Sequence, residues 1–264
     1  MRNYSGLAFL KLSGTGNDFI LFDNREAGLS EHDVAFFRRI CRRRTSVGAD
    51  GVLLLEAHPE YDFRLRYFNA DGSETACGNG ARCGAFAAVK LGLTRSPVSF
   101  VFGKSLYEAQ VDGKLVRLKM PGVKDLRERV GLQLDGAFSE LGFVNTGVPH
   151  FVVATEEIDS VDVVRLGRRL RGHEVFGPEG TNVDFVKLLA ADEIQIRTYE
   201  RGVEGETLSC GTGCVAAAYL VRQAGRGKFP MRLQTRGGVL RVDEEHGRLF
   251  LEGEVAEIYA GKLL

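Results

Sequence analysis

Two cysteines of this chain stand in the same four-residue frame, Cys77-Gly78-Asn79-Gly80 and Cys210-Gly211-Thr212-Gly213. Each frame is followed by a stretch poor in charge, Ala81 to Leu91 in one case and Cys214 to Val221 in the other. A Cys-Gly-x-Gly turn that opens a helix puts its thiol beside the unpaired N–H groups of the first turn and the positive end of the helix dipole. That setting is expected to lower the thiol pKa and make the sulfur a better base. The same N–H groups are expected to bind a carboxylate, and the glycines let a ligand approach the backbone. Two such turns, if brought face to face, would clamp one carboxylate and put a sulfur on each side of the neighbouring carbon. One thiolate would take the α-proton of an amino acid from one face, and the other thiol would deliver a proton to the opposite face. An ordinary thiol pKa of about 8.5 suits a group that must serve as base or acid near neutral pH. Charge developing on the carboxylate would meet the helix N-termini.

The cysteines support rival chemistries less well. Cys41, Cys83 and Cys214 fall within predicted helices and read as small buried hydrophobes. Cys77 and Cys83 are six apart and Cys210 and Cys214 four apart, with no Cys-x-x-Cys and no adjacent His, so no metal is expected. A thiol redox protein would need a resolving cysteine one turn from its partner, which neither frame offers. Five cysteines cannot all pair within the chain. With no secretory signal at the start, reduced thiols and a cytoplasmic address are expected.

The elements that must carry these turns repeat. The first half of the chain recurs in the second at a shift of about 130 to 134 residues. Thr15-Gly16…Phe19 matches Thr146-Gly147…Phe151, and Asp50-Gly51-Val52-Leu53 lies opposite Asp184-Phe185-Val186-Lys187. Arg66-Tyr67-Phe68-Asn69 answers Arg197-Thr198-Tyr199-Glu200, and Gly103, Leu106, Gly113 and Leu115 return as Gly237, Leu240, Gly247 and Leu249. Ser30 to Arg44 matches Ser160 to Glu174, both predicted as helices with Ser at the N-cap and a basic end. Phe63 to Tyr67 and Ile194 to Thr198 alternate as strands do. Further strands are predicted at Phe19 to Asp23, Val52 to Glu56, Leu115 to Met120, Phe151 to Thr155 and Leu249 to Glu252. A helix apolar on nearly all sides must be buried. The pattern therefore predicts an α/β fold of two pseudo-symmetric domains from a tandem duplication, each a rolled sheet around a central buried helix. Pro121-Gly122 marks the expected boundary.

With these residues in place, the chain resembles the diaminopimelate epimerase family. Phe68-Asn69-Ala70-Asp71-Gly72-Ser73-Glu74 through Cys77-Gly78-Asn79-Gly80-Ala81-Arg82 is similar to that family's first signature. Tyr199-Glu200-Arg201-Gly202, Glu206-Thr207 and Cys210-Gly211-Thr212-Gly213 are similar to its second. Gly14 to Phe19, Gly147-Val148-Pro149-His150 and Thr181-Asn182-Val183 resemble further family blocks, so the likeness runs from about Lys11 to the C-terminus. The resemblance implies interconversion of LL- and meso-2,6-diaminopimelate, in lysine and cell-wall precursor biosynthesis, by a homodimer using neither pyridoxal phosphate nor a metal. It implies domains of residues 1–119, joined by a returning last strand at 254–264, and 120–253. It casts Cys77 and Cys210 as base and acid, tuned by His150 and Glu200. Gly78, Asn79, Gly211 and Thr212 would hold the reacting carboxylate, and Asn17, Asn69, Asn182, Glu200 and Arg201 the remaining amino and carboxyl groups.

The residue chemistry agrees in kind. A distal carboxylate calls for the guanidinium fork of Arg201, and an ammonium for the oxygens of Glu200 and the asparagines. Glu200 and Arg201, read as neighbours on one strand, would serve different ends of the ligand. Structural readings stand beside these: Asn17 as a turn-shaping residue, His150 as a satisfied core residue, and Arg201 as one half of an ion pair. The chain departs from the family pattern at Gly51, where Gln is usual, and at Val148, where Asn is usual; both concern the distal end of the substrate. A proline or hydroxyproline racemase shares the paired-thiol logic, but its first motif carries His where this chain has Asn79. A non-catalytic isomerase-like binding protein would not need both cysteines.

Bulk composition excludes several classes. The chain has 264 residues, 44% hydrophobic and 27% charged, with 35 basic and 35 acidic side chains. Zero formal net charge does not suit a nucleic-acid partner. The basic run Arg38-Arg39 with Arg42-Arg43-Arg44 reads as a solvated helix end. No apolar run reaches the ~18 residues of a membrane span.

Overall fold

Runs of β-branched and aromatic residues form the strands, and the small-residue stretches after Cys77 and Cys210 form helices buried on almost every side. The computed structural model describes residues 3–264. Two compact units emerge: the residues up to Leu118 together with Gly253–Leu264, and Lys119–Glu252.

The first unit contains β1 (Ala8–Gly14), β2 (Asn17–Asp23), α1 (Val34–Ile40), β3 (Gly51–Glu56), β4 (Phe63–Asn69), β5 (Glu74–Thr75), α2 (Gly78–Lys90), β6 (Val98–Phe102), β7 (Ser105–Asp112) and β8 (Leu115–Lys119). The second contains β9 (Lys124–Arg127), β10 (Ser139–Asn145), β11 (Pro149–Ala154), α3 (Val163–Arg171), β12 (Asn182–Ala190), β13 (Glu193–Glu200), β14 (Gly205–Thr207), α4 (Gly211–Gln223), β15 (Met231–Thr235) and β16 (Gly238–Glu245). The last strand, β17 (Arg248–Lys262), begins in the second unit and ends in the first, where it runs antiparallel to β1.

The duplication is visible in the strand pairing. In the first unit β1–β2 is antiparallel, β2–β3 parallel, β3–β4 antiparallel and β4–β6 parallel. In the second, β10–β11, β11–β12, β12–β13 and β13–β15 alternate in the same way. Register refines the sequence match. Phe19 pairs with Gly51 and Phe151 with Val183, so Asp50 corresponds to Asn182 and Val52 to Asp184. The direct match of Asp50 to Asp184 is thus off by two, and a two-residue slip keeps every side chain on its face, so hydrophobic pattern cannot detect it.

Each sheet is covered on both faces. The cores packed on α1 and α3 contain Ile20, Phe22, Phe36, Phe37, Val52 and Leu54 in one unit and Phe151, Val153, Leu166, Leu170, Val183 and Phe185 in the other. The opposite faces meet the central helices: a Cβ on Gly84 of α2 would come within 2.5 Å of Leu65. Small residues are therefore required where helix and sheet backbones approach this closely.

Three expected elements shift. The first predicted helix is shorter: a 3₁₀ turn at Glu31–Asp33, with Ser30 capping it in a capping box, leads into α1, which ends at Ile40, and Arg42 to Arg44 lie in a turn. In the second, Ser160 is not the cap. It ends a 3₁₀ turn at Ile158–Ser160, Val161 is extended, and Asp162 caps α3 by accepting from the Arg165 N–H. The strand predicted at Leu249 to Glu252 is the start of the 15-residue β17, whose later residues Ile258 and Tyr259 are exposed and carry no burial pattern.

Candidate active site

Cys77 is the N-cap of α2. Its backbone is extended, its sulfur accepts from the Gly80 N–H at 3.2 Å, and the first intrahelical bond runs from Ala81 N–H to its carbonyl. Gly78 and Asn79 occupy the first turn, ahead of that bond. Asn17 opens β2 and donates from Nδ2 to Asp50 at 2.6 Å, which leaves its Oδ1 directed towards Cys77, 3.9 Å from the sulfur. Asp50 is in turn bonded by Arg43 at 2.8 Å, and Arg43 also binds Asp18, which pairs with the buried Lys11. Burial opposes ionisation of Asp18, but the bonds from Arg43 and Lys11 hold its carboxyl below the ordinary range. The basic run therefore includes a structural ion-pair cluster behind Asn17.

Asn69 and Asn79 are tied to their own unit. Asn69 Nδ2 donates to Ser73 Oγ at 3.0 Å across the turn after β4. Asn79 is buried, and its Oδ1 accepts from Arg82 at 2.8 Å. Arg82, fully buried in α2, reaches Thr15 Oγ1 at 2.7 Å as well. Arg82, the last residue of the first signature, was given no role from the sequence, although a charge inside an otherwise apolar helix is a signal. Gly51 is explained sterically: a Cβ there would lie 2.3 Å from the Phe68 carbonyl oxygen and 2.4 Å from the Tyr67 ring.

Cys210 is the N-cap of α4, with its carbonyl accepting from Cys214 N–H at 2.9 Å and its sulfur 3.4 Å from Thr212 Oγ1. The expected lowering of its pKa is not found. Burial pushes this thiol well above its ordinary value, the charges of Glu200 and Asp184 push the same way, and the Thr212 hydroxyl and Gly213 N–H only partly offset them. Glu200, the last residue of β13, accepts from Thr207 Oγ1 at 2.5 Å. Burial raises the Glu200 pKa against the bond from Thr207.

His150, at the start of β11, is fully buried. Its Nδ1 is 2.7 Å from Asp184 Oδ2 and its Nε2 is 2.9 Å from Thr212 Oγ1. Asp184 Oδ1 accepts from Thr198 at 2.7 Å, across the β12–β13 pair. Asn182 accepts from the Arg201 backbone N–H at 2.8 Å, donates to the Pro149 carbonyl at 3.1 Å, and places Nδ2 3.4 Å from His150 Nε2. Asp184 was noted in the sequence only as part of the repeat, and Thr198 likewise; an acid within the apolar run of β12 was the available sign. Arg201 does not share a strand with Glu200 as expected. It follows β13 in a turn, and its guanidinium, one quarter exposed, lies 3.4 Å from the exposed Glu179.

The chain matches the family model described as diaminopimelate epimerase twice, over residues 9–123 and 142–256. It is 41% identical to the diaminopimelate epimerase of Aquifex aeolicus, covering 97% of this chain and 98% of that one. It is 42% identical to the diaminopimelate epimerase of Chlorobaculum tepidum, covering 96% and 99%. Among solved structures, a PhzF-family phenazine biosynthesis protein of Bacillus anthracis aligns over 100% of both chains with a TM-score of 0.73 at 14% identity. A hydroxyproline epimerase of Agrobacterium vitis aligns over 100% of this chain and 92% of that one, with a TM-score of 0.69 at 15% identity. Likeness at such identity speaks for the fold alone.

Proposed function

Because the chain belongs to the diaminopimelate epimerase family, we propose that it interconverts LL- and meso-2,6-diaminopimelate by proton transfer between the substrate α-carbon and the thiols of Cys77 and Cys210. The observation that carries this reading is the placement of each thiol at the N-cap of a buried helix, beside first-turn N–H groups. Thiolate from one cysteine takes the α-proton, and its electron pair delocalises onto the carboxylate. First-turn N–H groups of Gly78, Asn79, Gly211 and Thr212 receive that carboxylate. The thiol of the other cysteine returns a proton to the opposite face, which inverts the centre. The two cysteines exchange roles for the reverse reaction.

Glu200 and Asn17 flank the sulfurs and offer oxygen atoms to the reacting ammonium, and Arg201 offers its guanidinium to the distal carboxylate. Asn69 and Asn182 complete the contacts to the amino and carboxyl groups, from positions held by their own bonds to Ser73 and to Pro149 and Arg201. Family likeness further supports a homodimer, and a cytoplasmic setting suits free thiols. No helix among the described residues is long and apolar enough to cross a membrane.

The test is incubation of the purified protein with LL-diaminopimelate in deuterated water without added cofactor. Deuterium should enter the α-carbon as the meso isomer forms. Exchange into proline but not diaminopimelate would overturn the reading in favour of a proline racemase. Gel filtration with light scattering checks the dimer.

A further inference from the structure

Five side chains of the second unit form one unbroken hydrogen-bond chain: Thr198, Asp184, His150, Thr212 and Cys210. Thr198, Asp184, His150 and Cys210 are all buried. The direction of this chain can be worked out from its fixed ends. A carboxylate only accepts, so the Thr198 hydroxyl and His150 Nδ1–H both donate to Asp184. The far ring nitrogen is set independently. Asn182 Oδ1 is identified as the oxygen by the Arg201 backbone N–H that donates to it, so its Nδ2 is the atom beside His150 Nε2. An N–H on Nε2 would meet that donor, so Nε2 is the unprotonated ring nitrogen, and its single lone pair serves the nearer partner. The Thr212 hydroxyl, 2.9 Å from Nε2, donates to it, and only its lone pairs remain for the sulfur 3.4 Å away. Gly213 permits this arrangement: a Cβ there would lie 2.4 Å from Asp184 Oδ1.

We propose that Asp184 and Asn182 are positioning residues that fix the direction of this chain, so that Thr212 offers the Cys210 sulfur lone pairs and no proton, and the sulfur enters the reaction as a proton donor. This inference rests on the two-thiol reading above and assigns the free enzyme one of its two protonation forms. When the S–H proton passes to the substrate carbanion, the S–H bond breaks and its electron pair stays on sulfur. Thr212 then turns its hydroxyl from Nε2 to the thiolate, and Asn182 Nδ2 stays beside Nε2. In the reverse direction the thiolate takes the α-proton and the hydroxyl returns. The groups around Cys210 in this unit act consistently: Glu200 from β13 and Asp184 from β12 both favour the thiol, and Glu200 is a second acceptor for its S–H, while a hydroxyl turned from Thr212 and the Gly213 N–H from α4 favour the thiolate.

The two ends of the chain should therefore respond with opposite sign. Asp184→Asn removes a negative charge and presents an amide N–H to Nδ1, which moves the ring proton to Nε2 and turns the Thr212 hydroxyl towards sulfur. Thr212→Val removes the hydroxyl, whose bond to a thiolate is charge-assisted and stronger than its bond to a thiol. The measurement is the pH dependence of Cys210 alkylation by iodoacetamide, followed by peptide mass spectrometry on the full chain without substrate. The alkylation midpoint should fall by about one pH unit in Asp184→Asn, a tenfold change in rate at fixed lower pH. It should rise in Thr212→Val and return to the parent value in Thr212→Ser. If Asp184→Asn does not fold by circular dichroism, His150→Phe carries the same test, because losing the acceptor also frees the hydroxyl for sulfur and lowers the midpoint. An unchanged or raised midpoint in folded Asp184→Asn or His150→Phe overturns the proposal, as does a Thr212→Val midpoint equal to that of the parent. These readings need no turnover, so they fail separately from the epimerase assignment, which is tested by the parent enzyme with diaminopimelate.

Discussion

Arg82 donates from Nη2 to Asn79 Oδ1 at 2.8 Å without any solvent exposure of its own. The same nitrogen holds Thr15 Oγ1 at 2.7 Å, so one buried guanidinium ties the turn before Asn17 to the first turn of α2. A buried charge is costly to place, and it is not needed to fill a helix otherwise made of small and apolar residues. Its effect is to hold these two segments in one geometry.

Arg82→Met should therefore lower stability by about 1 to 3 kcal/mol, through acceptors left unpaired. It should also raise KM for diaminopimelate more than it lowers kcat, because the carboxylate cradle at Gly78 and Asn79 loosens. Arg82→Lys, which keeps the charge and one donor, should recover part of both. Denaturant unfolding and steady-state kinetics check this; an unchanged KM in folded Arg82→Met would make the residue purely structural.

Cys77→Ala and Cys210→Ala should each abolish epimerisation and leave the fold intact. In the proposed mechanism each sulfur serves one face of the α-carbon, and a positioned acid or base contributes roughly 10² to 10⁴ in rate. Turnover near the parent rate in either variant, with a native circular dichroism spectrum, would refute the two-thiol mechanism.

Glu200 gives a prediction about pH. Burial raises its folded pKa above the unfolded value of about 4.3. The stability it contributes is complete below the unfolded pKa and is lost as pH rises through the folded one. Glu200→Gln keeps an oxygen for the Thr207 hydroxyl but cannot ionise. Its melting temperature relative to the parent should therefore improve more at pH 8 than at pH 4, while its activity falls. Calorimetry at the two pH values decides; a gain that is equal at both, or larger at pH 4, would show that Glu200 titrates as an ordinary carboxyl.

How far these features could be read in advance differs by residue. The Cys77 and Cys210 turns were legible because a short motif recurs in a chain written twice, and α2 and α4 because small apolar residues leave a helix no polar face. Asp184 and Arg82 were not singled out, since a lone charge on a strand or helix gains meaning only from partners 34 and 67 residues away, His150 and Thr15. The direction of the Cys210 pKa shift was misjudged for a related reason. A helix N-terminus is local and visible in sequence, whereas the burial and the Glu200 and Asp184 charges that outweigh it are tertiary. The outer half of β17 is exposed and does not alternate, so the returning strand expected at 254–264 was legible only through the family resemblance and not through its hydrophobic pattern.

Arg201 should select for a second carboxylate at the far end of the substrate. Its backbone is anchored by the bond from its N–H to Asn182 Oδ1, while its side chain leaves β13 in a turn. Among the described residues the acid paired with the guanidinium is Glu179, at 3.4 Å and highly exposed, a contact of the kind worth about 0 to 1 kcal/mol. A substrate carboxylate could displace that partner at little cost and accept two parallel N–H bonds in its place. Removing such a charged, two-pronged contact costs about 2 to 5 kcal/mol in a site closed to water. Lysine keeps the charge but not the planar fork, so Arg201→Lys should weaken kcat/KM for diaminopimelate strongly and for free lysine hardly at all. Free lysine, which lacks the distal carboxylate, should be a poor substrate of the parent enzyme. The comparison is kcat/KM for diaminopimelate and lysine in both proteins. If the parent epimerises the two equally well, or if Arg201→Lys leaves their ratio unchanged, Arg201 serves the turn after β13 and not the substrate.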